Sequence, residues 1–149
     1  CSVLGSMPPE IAVPGARLAE FHDVPASYLA KHLQALSAAG IVEPVKGRHG
    51  GYRLAQPAAE ITVLDVVLAV EGDERAFRCS EIRQRGPSAV APDRYIEPCG
   101  IARAMWAAES AWRDSLRSVT IGDLVAELDD TVDPVQIERA VSWMGRVLR

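Results

Sequence analysis

Residues 13–54, VPGARLAEFHDVPASYLAKHLQALSAAGIVEPVKGRHGGYRL, decide the fold. Within them the segment 26–39 has apolar residues at helical spacing. Leu29, Leu33 and Leu36 lie at i, i+4 and i+7, which places them on one face of a helix. The opposite face carries serine, tyrosine, lysine, histidine and glutamine. The segment therefore predicts an amphipathic helix that buries its leucines and exposes a polar surface.

Further elements flank this helix on both sides. A shorter helix is predicted over 13–22, and the aspartate and proline at 23–25 break the chain before the longer helix begins. After it, 41–45 and 52–54 predict two strands, and the glycine-rich basic segment 46–51 joins them as a hairpin tip. Two helices with a tight break, followed by such a hairpin, form the layout of a winged helix-turn-helix, which is a DNA-binding motif.

The motif also predicts which side chains would contact DNA. Polar residues at the N-terminal end of the second helix reach base edges and phosphates, and a cation between glycines at the wing tip can approach the minor groove. The candidate DNA-binding residues are Ser27, Tyr28, Lys31, His32, Lys46, Arg48 and His49. The alternative is that this basic face contacts a partner protein. Salt dependence distinguishes the two, because phosphate contacts give a steep salt slope.

The remainder of the chain is predicted to be mainly helical. A helix at 62–70 precedes a long irregular loop at 71–98 that is rich in proline, glycine and charge. A long amphipathic helix follows at 99–118, then a short helix at 120–128 and a last amphipathic helix at 133–149. The predicted fold class is mainly α with a small β-wing.

Composition excludes several classes of protein. Of the 149 residues, 48 % are hydrophobic and 24 % charged, as in ordinary globular domains. The longest purely apolar run, at 66–70, is far shorter than the roughly 20 residues of a transmembrane helix. Three cysteines argue against a secreted disulfide scaffold, so we expect a cytoplasmic protein. We recognise no catalytic triad, paired carboxylates or phosphate-binding glycine motif, so we do not expect an enzyme.

Charge is unevenly distributed along the chain. The net charge is −4 overall, but residues 1–57 carry +1 and the remainder carries −5. Phosphate binding requires local positive charge rather than a basic whole protein. The distribution therefore permits DNA binding by the first part without requiring it.

The stretch that decides the fold also resembles a known family. The motifs that carry the resemblance are SYL at 27–29, GIV at 40–42, GGYRL at 50–54, ITVLDVV at 61–67 and TIGDL at 120–124. Over about residues 10–128 the chain is similar to the IscR/NsrR-type, or Rrf, family of winged-helix regulators. The resemblance implies a homodimer built on the long helix, binding to palindromic operators in double-stranded DNA, and often a [2Fe–2S] cluster.

With this resemblance the chain divides into four expected segments. A winged helix-turn-helix domain covers 1–70, and its first helix is expected to be truncated because the chain begins with Cys1 rather than Met. A cysteine loop covers 71–98. A dimerisation helix and a following short helix cover 99–128, and a C-terminal helix covers 129–149.

Two cysteines, Cys79 and Cys99, flank the irregular loop and are candidate cluster ligands. The common family pattern has three closely spaced cysteines, but this sequence has none over 80–98, so a simple three-cysteine site is excluded. The chain is more similar to the redox-sensing RsrR-type branch of the family. That resemblance implies a ligand set of Cys79, Cys99 and His22, with a glutamate expected before residue 1.

His22 lies directly before the recognition helix, so a change in its ligation on reduction would move that helix and alter DNA affinity. The signal could be redox state, nitric oxide or iron supply. Two alternatives remain open. One is a cluster-free regulator that uses a thiol switch between Cys79 and Cys99 or senses a small ligand. The other is a protein-interaction module.

Overall fold

The computed structural model describes residues 1–48 and 50–148. Its helices are α1 (Ser2–Gly5), α2 (Gly15–Phe21), α3 (Ala26–Ala38), α4 (Val63–Glu71), α5 (Gly100–Arg117), α6 (Ile121–Ala126), α7 (Leu128–Thr131) and α8 (Pro134–Val147). Its strands, β1 (Val42–Val45) and β2 (Gly51–Leu54), pair antiparallel. This mainly helical fold with a two-stranded wing confirms the predicted fold class.

The helix-turn-helix consists of α2 and α3. The leucine spacing predicted α3 correctly, and Leu33 and Leu36 are buried on its inner face. Asp23 makes the tight break between the helices with a φ of 51°, a left-handed conformation that aspartate tolerates better than most residues. The wing then places Val42 opposite Leu54, as the predicted hairpin requires.

The predicted start of the first helix at residue 13 is wrong, because Val13 belongs to the sheet. Val13 and Tyr52 each donate a backbone N–H to the other's carbonyl oxygen at 2.9 Å. α2 therefore begins only at Gly15, after Pro14. The backbone segments at Val13 and Gly51 approach so closely that a Cβ on Gly51 would lie 2.3 Å from the carbonyl carbon of Val13. Glycine at position 51 is what allows this extra pairing.

Ile61, which follows the wing, is fully buried, and its carbonyl oxygen accepts the Ile121 N–H at 2.8 Å. Capping boxes start α4 and α6, one formed by Thr62 and Asp65 and the other by Thr120 and Asp123. An antiparallel bridge between Thr62 and Thr120 brings the two helix starts together. The hydrogen bonds from Thr120 hold the pKa of Asp123 below its usual value, which keeps this cap charged.

α5 projects an apolar stripe away from the core. Its small residue Ala102 is buried, whereas Ile101, Met105 and Trp112 are exposed. Within the described part of the chain this stripe is only partly covered, because Met105 and Trp112 line a cleft with Val67, Leu68 and Phe77. The segment after α5 also differs from prediction, because the expected single helix at 120–128 is divided into α6 and α7.

α8 packs against the helix-turn-helix. Met144 is only 6 % exposed, and the ring centroid of Trp143 lies 5.6 Å from that of Phe21 at the end of α2. The C-terminal helix therefore shares one core with the helix-turn-helix. Among the described residues, no helix combines the length and apolarity that crossing a membrane would need.

Candidate nucleic-acid interface and cysteine site

The N-terminal half of α3 presents the predicted polar face. The side chains of Ser27, Tyr28 and Lys31 are exposed, and Tyr28 keeps 57 % of its surface accessible. His32 differs from them. It is half-buried, its ring meets that of Tyr28 edge-on at 4.4 Å, and its Nε2 has no hydrogen-bond partner among the described residues. His32 thus supports the Tyr28 ring, and the other three side chains face outward.

The wing tip carries the predicted cations. Lys46 and Arg48 are exposed, whereas His49 lies outside the described residues. Gly47 has a φ of 114°, which side-chain-bearing residues rarely adopt, and its carbonyl oxygen accepts the Gly50 N–H at 3.0 Å. The glycines therefore make a tight turn that leaves both cations at the end of the hairpin.

Electrostatics distinguish these tip cations from the arginine on the wing's second strand. Arg53 pairs with Glu43 on the neighbouring strand at 2.6 Å. Over the described residues, neither Lys46 nor Arg48 forms an ion pair. The tip consequently keeps its positive charge available for phosphate groups.

The fold brings the two candidate cysteines together. Cys79 and Cys99 are 20 positions apart in sequence, yet their Sγ atoms are 3.9 Å apart. Both thiols are half-buried. The Glu81 N–H donates to Cys79 Sγ at 3.4 Å, and the Ala102 N–H donates to Cys99 Sγ at 3.3 Å. Cys99 is also the N-cap of α5, so the pair is attached directly to that helix.

A cleft of about 670 Å³ opens beside Cys79. Trp106 of α5 forms one wall, and its indole N–H donates to the carbonyl oxygen of Phe77 at 3.4 Å. The guanidinium of Arg75 lies 4.9 Å from the centre of the Trp106 ring. No function was predicted for these residues from the sequence. The available signal was the arginines on both sides of Cys79, with Phe77 beside them.

His22 lies elsewhere in the same chain. It is the C-cap of α2 and lines a separate groove with Trp143 and Arg139 of α8. Partial burial lowers the pKa of His22 below its usual value. The described part of the chain contains no group of three or more histidine, cysteine or acidic residues arranged to hold a metal. One chain therefore brings together two of the three predicted ligands, Cys79 and Cys99.

Comparison with known proteins gives concordant matches. The profile of the Rrf2 family, described as an iron-dependent transcriptional regulator, matches residues 2–127. The chain is 38 % identical over 108 residues to Protein aau3 of Rhizobium meliloti, which covers 72 % of this chain and 66 % of that protein. It is 28 % identical over 114 residues to the HTH-type transcriptional regulator NsrR of Shouchella clausii, which covers 76 % and 71 % respectively.

Among solved structures, T. potens IscR superposes with a TM-score of 0.65 at 20 % sequence identity, over 89 % of this chain and 82 % of that chain. At this identity the match establishes likeness of fold. The chain spans about two thirds of the length of the curated relatives described above.

Proposed function

This chain belongs to the Rrf2 family of transcriptional regulators, and we propose that it is a homodimer whose affinity for a palindromic DNA operator is controlled by a [2Fe–2S] cluster. One observation carries the proposal: Cys79 and Cys99 lie 3.9 Å apart at the start of α5. The family profile and the NsrR relative are described as transcriptional regulators rather than enzymes, which agrees with the expectation from the sequence.

The geometry of the thiols fits an iron site. Two thiolates bound to one tetrahedral metal at about 2.3 Å lie about 3.8 Å from each other. The Sγ atoms of Cys79 and Cys99 are 3.9 Å apart, close to that value. The two backbone N–H groups that donate to these sulfurs would stabilise negative charge on a cluster. When bound, the cluster would supply a one-electron acceptor.

The remaining ligands would come from a second copy of the chain. His22 lies in the α2–α8 groove rather than beside its own cysteines. We therefore assign Cys79 and Cys99 of one protomer and the partner subunit's His22 to one site, with a glutamate that precedes residue 1 as the fourth ligand. The exposed apolar stripe on α5 would form the dimer contact.

This arrangement would couple the site to DNA through the chain itself. Cys99 caps α5, so the thiol pair is fixed to the proposed dimer helix. His22 ends α2 and is separated from α3 only by the tight break at Asp23. A change in the position of His22 would therefore shift the N-terminus of α3, which carries Ser27, Tyr28 and Lys31. The wing tip would remain as a redox-independent phosphate contact.

Anaerobic visible absorption, with iron and acid-labile sulfide assays, tests the cluster in the full-length protein. We expect absorption at about 400–500 nm, as for clusters held by thiolates. Cys79→Ser and His22→Ala should change or abolish it, whereas Cys1→Ser is the matched control and should leave it unchanged. A wild-type protein that is colourless and free of iron after anaerobic preparation would exclude the proposal.

The same distance also favours a second candidate, a thiol switch. A disulfide needs its sulfurs about 2.05 Å apart, so the pair at 3.9 Å is reduced yet close to bonding distance. Oxidation would remove two electrons and two protons from Cys79 and Cys99. This candidate predicts a colourless protein whose DNA affinity changes reversibly with disulfide formation and becomes insensitive to oxidant in Cys99→Ser.

A further inference from the structure

The loop between the two cysteines is organised around Arg83. Its Nε donates to one carboxylate oxygen of Glu81 at 2.5 Å, and its Nη2 donates to the other at 2.8 Å. The same Nη2 donates to the carbonyl oxygen of Glu97 at 2.8 Å. Glu81 follows Cys79 by two positions, and Glu97 precedes Cys99 by two. A single guanidinium thus joins the two chain segments that carry the thiols.

The contacts of Arg83 also support the backbone beside Cys79. Glu81 has a φ of 47°, in the left-handed region that residues with a side chain rarely occupy. This conformation aims its N–H at Cys79 Sγ. The Arg83 guanidinium lies 5.1 Å from the ring centre of Tyr95, and the Tyr95 hydroxyl donates to the Arg83 carbonyl oxygen. The aromatic ring thereby holds the arginine from a second side.

Electrostatic contacts keep Arg83 in this position. The carboxylate of Glu81 is the main reason that the pKa of Arg83 is raised, and charge on Cys99 and Tyr95 adds to it. Arg83 in turn holds the pKa of Glu81 below its usual value. The pair therefore stays ionised, with its positive group within electrostatic reach of Cys99.

We propose that Arg83 is a positioning residue that holds Cys79 and Cys99 at ligand distance by bridging Glu81 and Glu97. The planar guanidinium can donate to a carboxylate and a carbonyl oxygen at once, whereas the ammonium of lysine has no such planar fork. The inference deepens the proposed function, because the thiols Arg83 positions are the ones assigned to the cluster. The proposed function supplies only the identity of the group that the two thiols would bind; the positioning by Arg83 does not depend on it.

The equilibrium between the two thiols and glutathione tests this inference on the full chain without iron. Cys79 and Cys99 transfer two electrons and two protons to one glutathione disulfide, which yields one protein disulfide and two glutathione molecules. The equilibrium constant reports how effectively one thiol is held near the other. It is measured at fixed glutathione ratios by blocking free thiols and quantifying the linked 79–99 peptide by mass spectrometry.

Arg83→Gln and Arg83→Lys are the test variants, and Arg85→Gln is the matched control, since Arg85 is an exposed arginine of the same loop. We expect both Arg83 variants to lower the equilibrium constant about tenfold or more, as for loss of preorganisation in a closed loop. Arg85→Gln should stay within about twofold of wild type. The inference is wrong if Arg83→Gln matches wild type, if Arg83→Lys does so, or if Arg85→Gln falls equally.

Circular dichroism shows whether each variant is folded. Glu81→Gln removes the same ion pair from its other side, so it tests the inference even if an Arg83 variant unfolds. Where both single variants fold, they form a double-mutant cycle. If the two side chains act as one unit, Glu81→Gln lowers the constant and Arg83→Gln adds little to it. Fully additive losses would overturn the inference. A colourless wild-type protein would exclude the proposed cluster but leave this equilibrium measurable, so the two failures are distinguishable.

Discussion

Lys31 on α3 and Arg48 at the wing tip are exposed cations, one on each part of the proposed DNA interface. We expect Lys31→Ala and Arg48→Ala each to weaken DNA binding about tenfold at moderate salt and to reduce the salt slope by about one. The reason is that each removes a charge that would displace a counterion from the phosphates. Fluorescence anisotropy with labelled duplex at several salt concentrations measures both quantities.

Arg117→Ala is the control for this comparison, because Arg117 is an exposed arginine at the far end of α5 that pairs with Asp114. It should leave both affinity and salt slope unchanged. Equal losses in all three variants would indicate a general charge effect. Unchanged slopes in Lys31→Ala and Arg48→Ala would favour the protein-interaction alternative.

A second prediction at the residue scale concerns Gly51. The Cβ of Gly51→Ala would lie 2.3 Å from the Val13 carbonyl carbon, so the bridge between Val13 and the wing must open. We expect a loss of about 3 kcal/mol in the free energy of unfolding. Gly145→Ala is the matched control. A Cβ at position 145 would meet no atom within 4 Å. Because alanine favours the helix more than glycine does, this substitution should raise the free energy of unfolding by up to about 1 kcal/mol. Urea denaturation that ranked Gly51→Ala as neutral would contradict this account of the wing.

At the scale of elements, α8 lies beyond residues 2–127, which the family profile matches, yet it packs on the helix-turn-helix. Met144→Ala should therefore destabilise the whole domain by about 2–4 kcal/mol, since Met144 is almost fully buried. Val141→Ala, on the exposed face of the same helix, should change stability by no more than about 0.5 kcal/mol. Thermal unfolding followed by circular dichroism measures the stability of both variants. Equally small losses of stability in the two would mean that α8 is detached from the domain in solution.

Most elements could be predicted from the sequence because their signals are local. The leucine spacing predicted α3, and the helix predicted at 62–70 agrees with α4. The start of α2 was placed too early because the pairing of Val13 with Tyr52 joins residues 39 positions apart. No periodicity within 13–22 reports such a contact. The division between α6 and α7 was missed because the segment has helical composition throughout.

At the scale of the whole molecule, the apolar stripe of α5 predicts the dimer. Ile101→Glu combined with Trp112→Glu should convert the protein to a monomer, because both side chains are exposed in the single chain and would be buried between two copies. The monomer should bind a palindromic operator at least tenfold more weakly, since only one half-site is engaged at a time. Sedimentation velocity measures the mass.

Ala107→Glu is the control for the dimer, because position 107 lies on a different face of α5 from the stripe and is exposed. It should leave the protein dimeric. A wild-type protein that sediments as a monomer would remove the basis for a site shared between subunits.

The candidate site was predictable in part, for reasons that differ between its residues. Cys79 and Cys99 mark the two ends of one loop, so their encounter could be expected from sequence. In the proposed site the position of His22 relative to them would depend on how two chains assemble, which no local pattern records. Arg83 was missed because its function arises from a contact across 14 positions to the backbone of Glu97, and backbone acceptors leave no signature in the sequence.

In the proposed function, the cluster held by Cys79 and Cys99 controls DNA affinity. The most direct test measures affinity for a selected duplex in one anaerobic sample, as isolated and after one-electron reduction, with absorbance recorded at each step. We predict a change of about tenfold or more, equivalent to about 1.4 kcal/mol, in wild type and none in Cys79→Ser. Equal affinity in both oxidation states of a visibly bleached wild-type sample would contradict the account.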